Sequence, residues 1–197
     1  LENGLHAVRS IRLDEQRRRP EGVARLDQVI SPVGLIQTHL PRKLSGARYD
    51  QYLAAGWFRG SVMLYKMDLL IMDRALWSVV NIRLKLANFA LRKSQRKCRR
   101  KVESEFKVII QPAQLDFRRE ALYQQHKKRF KGFVHNTLGE YLHAGFNRTV
   151  FNTMEVAVYD GLKLIAVSFF DLGEQSMASL LALYDEAYAP YSLGRYT

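Results

Sequence analysis

Residues 153–184 read TMEVAVYDGLKLIAVSFFDLGEQSMASLLALY, and this stretch decides the fold. Thr153–Tyr159 is rich in β-branched and aromatic residues, which suit a pleated, half-buried strand. Asp160-Gly161 follows, the strongest short-range hairpin pair, because the glycine supplies the positive φ that a two-residue loop needs. Leu162–Phe170 then returns as a second strand, Asp171–Gln175 turns the chain again, and Met177–Tyr184 makes a third. The prediction is a three-stranded antiparallel meander.

Working outward, Gln114–Phe130 predicts a helix. Leu115, Leu122, Tyr123, His126 and Phe130 fall at helical spacing, while Arg118, Arg119, Lys127 and Lys128 take the other faces. That helix is expected to pack on the meander. Glu105–Ile110 predicts a strand stopped by Pro112, and Leu138–Ala144 a second helical piece. Val80–Leu86 alternates apolar and polar residues without error, so a strand with Arg83 and Lys85 on its wet face is expected. Residues 67–79 are mixed, with Asp68 and Asp73 interrupting apolar residues. Arg59–Lys66 reads as a strand, and residues 49–58 as a short helix ended by Gly56. Residues 1–48 carry turn signals at Arg17–Arg19 with Pro20 and at Ser31-Pro32-Val33-Gly34, and no recognisable chemistry. Beyond the meander, Pro190–Gly194 looks like a helix start with Ser192 as N-cap. The chain ends at Thr197 as that helix begins, so a domain incomplete at its C-terminus is expected. Helices and an antiparallel meander together give an α+β class.

The 197 residues are 47% apolar, enough for a sizeable core, and carry a net charge of +12. The charge is localised. Residues 83–131 hold 16 basic and 4 acidic residues, so this segment alone accounts for the excess. Its densest part, residues 92–101, has seven Lys or Arg in ten positions. A dense one-signed block fits a polyanion such as RNA; a solvated basic face is the alternative. Cys98 is the one cysteine, which excludes a disulfide framework and a cysteine-only metal site and favours a reducing compartment. No apolar run reaches the roughly 18 residues of a membrane span, and no signal-type apolar stretch opens the chain.

Three stretches, in order, resemble the aminoacyl-tRNA–protein transferase family, which includes the arginyltransferases and the bacterial Asp/Glu leucyltransferases. The first is Tyr49–Tyr65, YDQYLAAGWFRGSVMLY. The second is Phe89–Lys97, FALRKSQRK, similar to the family's Phe…Ser-x-Arg-Arg basic motif. The third runs from Glu155 to Thr197 and includes Ser179…Tyr184-Asp185 and Ser192-Leu193-Gly194-Arg195-Tyr196. The family's pattern there is a hairpin, then Ser-x-x-x-x-Tyr-Asp-Pro and Ser-Leu-Gly-Thr-Tyr. This chain departs from it with Glu186 after Asp185 and Arg195 after Gly194. Where the family usually has a Cys-x-x-Cys cluster after the position of Tyr65, this chain has Lys66–Asp73 without cysteine.

The resemblance implies an acetyltransferase-like (GNAT-type) mixed sheet with helices over residues 105–197, preceded by an N-terminal region, residues 1–104, that carries the basic motif. It implies a cytoplasmic enzyme that moves an amino acid from aminoacyl-tRNA to the N-terminus of an acceptor protein beginning with Asp or Glu, as in N-degron tagging. Because this chain lacks the family's cysteines, no zinc, haem or iron–sulfur cluster is expected, and no cofactor or membrane partner is expected either. By the same resemblance, Tyr184 and Asp185 are the catalytic candidates, with a core tyrosine at a sheet edge as the alternative for Tyr184. Ser94, Arg96, Lys97, Arg99, Arg100 and His126 would bind the acceptor or tRNA; for His126 a structural role is the alternative. Ser192, Leu193, Gly194 and Tyr196 would face the donor. The reaction is aminolysis of an activated ester, which needs positioning, a neutral amine and oxyanion donors. Two other readings stand beside it. One is an acyl-CoA-dependent enzyme, although Tyr191–Thr197 has no Gly-rich pyrophosphate loop. The other is a non-catalytic RNA-binding module, which needs only the basic block.

Overall fold

The computed structural model describes residues 36–72, 75–129, 134–142 and 150–197. The turn signals at residues 17–20 and 31–34 lie outside the described residues.

In chain order the elements begin with strand β1 (Ile36–His39), helix α1 (Gly46–Ala54), and strands β2 (Phe58–Gly60), β3 (Met63–Met67), β4 (Leu69–Met72) and β5 (Ala75–Ser78). Helix α2 (Lys93–Glu105), strand β6 (Lys107–Pro112), helix α3 (Phe117–His126) and helix α4 (Leu138–Leu142) follow. Strands β7 (Thr153–Asp160), β8 (Lys163–Leu172) and β9 (Met177–Tyr184) and the short helix α5 (Leu193–Tyr196) complete the fold, which is α+β.

The meander forms as expected and gains a fourth strand: β6, β7, β8 and β9 make one antiparallel sheet in that order. Asp160 pairs with Lys163 across the hairpin, and Gly161 takes φ of +55° in its loop. Pro112 closes β6 rather than preceding its end, which an edge strand tolerates because its outer N–H positions need no partner in the sheet. The centre is β8, where Leu164–Phe169 are all buried. Tyr159 pairs with Leu164 and Val158 with Ala166, so Ile165 is the extra residue of a β-bulge. The bulge breaks the alternation and puts Ile165 and Ala166 into one core cluster.

Each face of the sheet is covered. On one face, Leu122 and Tyr123 of α3 and Leu138 and Leu142 of α4 pack on Ala157, Val167, Phe169, Leu181 and Leu183. On the other, Val102 of α2 and Leu193 of α5 pack on Val158, Ile165 and Ala166. Fully burying one such aliphatic side chain is worth about 1.5–3 kcal/mol. Helix α3 is shorter than the sequence suggests. Asp116 caps it through the Arg119 N–H at 2.9 Å, and a 3₁₀ turn over Lys127–Arg129 follows it.

Two buried ion pairs fix the layers. Arg119, fully buried, binds Glu155 through Nε at 2.8 Å and through Nη2, and Asp116 through Nη1 at 2.6 Å. Arg59 of β2 donates to Asp171 at 2.7 Å, to Thr153 Oγ1 at 2.8 Å and to the Leu142 carbonyl at 2.6 Å. Tyr49 of α1 donates to the same buried Asp171, and these bonds tie the N-terminal elements to the end of β8.

Three expectations are corrected. Arg59–Lys66 is not one strand but a hairpin, β2–β3, turned at Ser61 with φ of +56°. Val80–Leu86 forms no strand despite its alternation. Its apolar members Val80, Ile82, Leu84 and Leu86 are all exposed, and no strand pairs with it among the described residues. A period-2 pattern specifies a strand only where a neighbour buries one face. Glu105 ends α2 rather than opening a strand, because residues 93–105 form a helix.

Candidate functional site

The basic tract is a helix because its three apolar positions fall on one stripe. Cys98, Val102 and Phe106, four residues apart, face the sheet and the segment 188–196, while every Lys and Arg of residues 92–101 is exposed. Gln95 accepts the Arg92 N–H at 2.8 Å and closes the first turn. Thirteen residues at about 1.5 Å each give a cationic rod of roughly 20 Å.

The cations differ in their ties. Arg99 pairs with Glu103 at 3.0 Å, Arg96 donates to the Leu91 carbonyl, and Lys101 reaches the Pro190 carbonyl and lies over the Tyr191 ring at 4.1 Å. Arg92, Lys93, Lys97 and Arg100 have no carboxylate partner among the described residues. Ser94 is exposed on the first turn of the same helix.

The structure joins this helix to the C-terminal segment. Tyr191 donates to Glu105 at 2.5 Å, Tyr196 donates to Glu103 at 3.2 Å, and the Cys98 thiol lies 3.4 Å from the Tyr191 carbonyl. Burial, then the charge of Glu103, pushes the Tyr196 phenol up to about 12, so it remains a neutral donor. Leu193 is buried as the anchor, while Ser192, Gly194 and Arg195 are exposed. Ser192 is not the capping residue that its position suggested: its backbone is left-handed at φ +55° and its side chain makes no cap bond. Helix α5 is a single turn held by α2.

Tyr184 stands where β9 ends. Its ring meets the buried His126 ring edge-on at 5.2 Å, and the Arg129 guanidinium lies 4.9 Å from its centroid. A Cβ on Gly194 would come within 3.1 Å of that ring, so glycine permits the α5 backbone to close over it. His126 is 3% exposed and sits behind Tyr184 rather than at the surface. Burial first, and the Arg129 charge second, lower its pKa and keep it neutral. Asp185 bonds Lys163 at 2.8 Å and caps the following 3₁₀ turn through the Ala187 N–H. Its own N–H donates to the bulge carbonyl of Ile165 at 2.8 Å. The Lys163 bond holds its carboxyl below the usual carboxylate range.

Thus Tyr184, residues 192–196 and the basic helix meet at one end of the sheet, with Asp185 and His126 on the side of α3. Arg129 and Lys163 belong to this group and were missed from sequence. Arg129 was findable, since it lies three residues after His126 on the same turn. Lys163 was not, because its partner is 22 positions away and only the hairpin brings the two together. No group of His, Cys, Asp and Glu suited to a metal occurs among the described residues. No helix there is long and apolar enough to cross a membrane.

Residues 114–197 match the family described as arginine-tRNA-protein transferase, C terminus. Comparison with curated proteins returns no match.

Proposed function

We propose that this chain, whose residues 114–197 match the arginine-tRNA-protein transferase C-terminal family, is an aminoacyl-tRNA–protein transferase that binds aminoacyl-tRNA along α2 and directs the charged 3′ end to Tyr184. Transfer of an aminoacyl group from tRNA to protein is the chemistry of that family. The observation that carries the reading is the docking of the cationic helix on the very segment, residues 188–196, that leads away from Tyr184. A rod of seven cations is too extended for one acidic side chain and suits a phosphate backbone.

In the reaction, the α-amino nitrogen of the acceptor attacks the ester carbonyl. A C–N bond forms, the C–O bond to the tRNA ribose breaks, and one amine proton passes to the departing ribose oxygen. The Tyr184 hydroxyl is the group offered for that relay. His126 and Arg129 hold its ring, and Asp185, paired with Lys163, fixes the loop beyond it. The acceptor is read as a protein beginning with Asp or Glu, with N-degron tagging in the cytoplasm as its setting.

The test is tRNA binding against salt concentration. Replacing Arg92, Lys93, Lys97 and Arg100 with Ala removes four contacts at about 0.7–0.9 each, so the logarithmic slope should fall by roughly 3. An unchanged slope removes α2 from the tRNA interface. Labelled aminoacyl-tRNA offered with peptides beginning Asp, Glu or Ala then tests transfer. Binding of tRNA with transfer to none of them favours the RNA-binding module instead.

A further inference from the structure

Strands β4 and β5 form a sheet of two, which is marginal on its own. The Val79 N–H donates to the Asp68 carbonyl at 2.9 Å and extends their ladder by one bond. From there residues 80–84 run on without turn or bend and make no backbone–backbone hydrogen bond among the described residues. Asn81 ties this run to the body of the protein, its Nδ2 donating to the Gly56 carbonyl at 2.9 Å. In an extended chain Arg83 and Lys85 share the face of Asn81. The opposite face carries Val80, Ile82, Leu84 and Leu86, each between 48% and 75% exposed, and continues back to Leu76 of β5, 63% exposed. The Asn81 tie thus turns an aliphatic row outward, with unpaired backbone along it. Arg83 and Lys85 are exposed and have no carboxylate partner among the described residues.

Whatever covers such a strand must supply backbone partners, apolar side chains and negative charge. A second copy lacks the third: it brings Arg83 and Lys85 of one chain beside those of the other, on a protein that already carries +12. A nucleic acid supplies only the charge and leaves the aliphatic row in water. We propose that residues 80–86 dock a protein partner whose contact segment is extended and alternates apolar with acidic residues, added as a further strand to the β4–β5 sheet. Its carboxylates stand across from Arg83 and Lys85, and its apolar residues pack beside Ile82 and Leu84. Its backbone takes up the bonds that residues 80–84 leave open. The segment lies before residues 114–197, and its partner is independent of the transferase reading.

The probe is a fluorescent, end-capped peptide of alternating Val and Glu, titrated with the whole chain and read by anisotropy. A peptide of the same composition with its Glu in one block is the control. The alternating peptide should bind at least about tenfold more tightly, the scale of two opposite-charge cross-strand pairs with a matched apolar register. Hydrogen exchange at amides 81–85 should slow when it binds. Arg83→Glu with Lys85→Glu should lose the Val-Glu peptide and gain its Val-Lys counterpart, a reversal that a misfolded chain would not show. Ile82→Asn should weaken both. Lys43→Glu, at an exposed position before α1, should leave affinity within about twofold. Equal binding of the alternating and block peptides, no binding at all, or protection at residues 93–101 in place of 81–85 overturns the proposal. Self-association in the ultracentrifuge that Ile82→Asn abolishes assigns the strand to a second copy, and single-stranded RNA that protects amides 81–85 assigns it to nucleic acid; either result overturns it as well.

Discussion

Replacing Arg119 with Met tests whether α3, which carries Arg118 and His126, is set by the buried ion pair beneath it. Arg119 and Glu155 are both fully buried. Without the guanidinium, Glu155 keeps only Gln111 Nε2 at 2.6 Å and the Gln114 N–H at 3.2 Å, two neutral donors for a buried carboxylate. Burial works against the Arg119 charge, but the bonds and charge of Glu155 outweigh it and raise its pKa, so the guanidinium stays charged. Breaking such a pair from one side costs about 3–5 kcal/mol. For a domain of this size that is roughly 6–20 °C in Tm. The double variant Arg119→Met, Glu155→Leu should recover most of the loss, because no buried charge then remains. What stays is the smaller cost of two donors that lose Glu155, the Gln111 amide at about 1 kcal/mol and the N–H of exposed Gln114, which water can satisfy. Asp116, at 38% side-chain exposure, remains solvated either way. Urea unfolding followed by circular dichroism measures both variants. A single variant that loses under about 1 kcal/mol, or a double variant no more stable than the single, refutes the reasoning.

Other outcomes are expected from the same geometry. Gly194→Ala should cost about 1 kcal/mol and shift the near-ultraviolet spectrum of Tyr184, since the new Cβ meets its ring at 3.1 Å; an unchanged spectrum would show that α5 does not close on Tyr184. His126 has a pKa lowered from 6.5, so the unfolded chain binds a proton that the folded chain refuses. Its contribution is therefore full above pH 6.5 and declines as pH falls below it, and His126→Gln should flatten that part of a stability–pH profile. Asp50 accepts from Ser176, Gln175 and Glu174, with the Ser176 bond foremost in lowering its pKa from 3.8. Its contribution is present above pH 3.8 and lost as pH drops through the lower folded value, so Asp50→Asn should remove an acid-limb loss that the parent shows. Val102→Asp should free α2 from the sheet and weaken tRNA binding along with stability, whereas Ser94→Ala should leave stability within about 0.5 kcal/mol.

The sequence by itself determined the meander, its Asp160-Gly161 turn, the helix packed on it and the position of the cationic block, because each depends on near neighbours. A hairpin is written in two turn residues and the runs beside them, and a helix in an apolar stripe such as Leu122, Tyr123 and His126. The family resemblance was legible for the same reason, in short runs such as Ser192-Leu193-Gly194. Only the tertiary structure decided which patterned segment finds a partner. Val80–Leu86 alternates as well as any strand in the chain and pairs with none among the described residues, while the basic tract is a helix because Cys98, Val102 and Phe106 pack with Ile165 and Leu193 on one face of the sheet. The site follows the same rule. Tyr184 was visible as the end of a strand, but the closure of Gly194 on its ring and the placing of His126 behind it both depend on contacts between distant residues. Those contacts are set by burial and packing in three dimensions, and no local pattern encodes them.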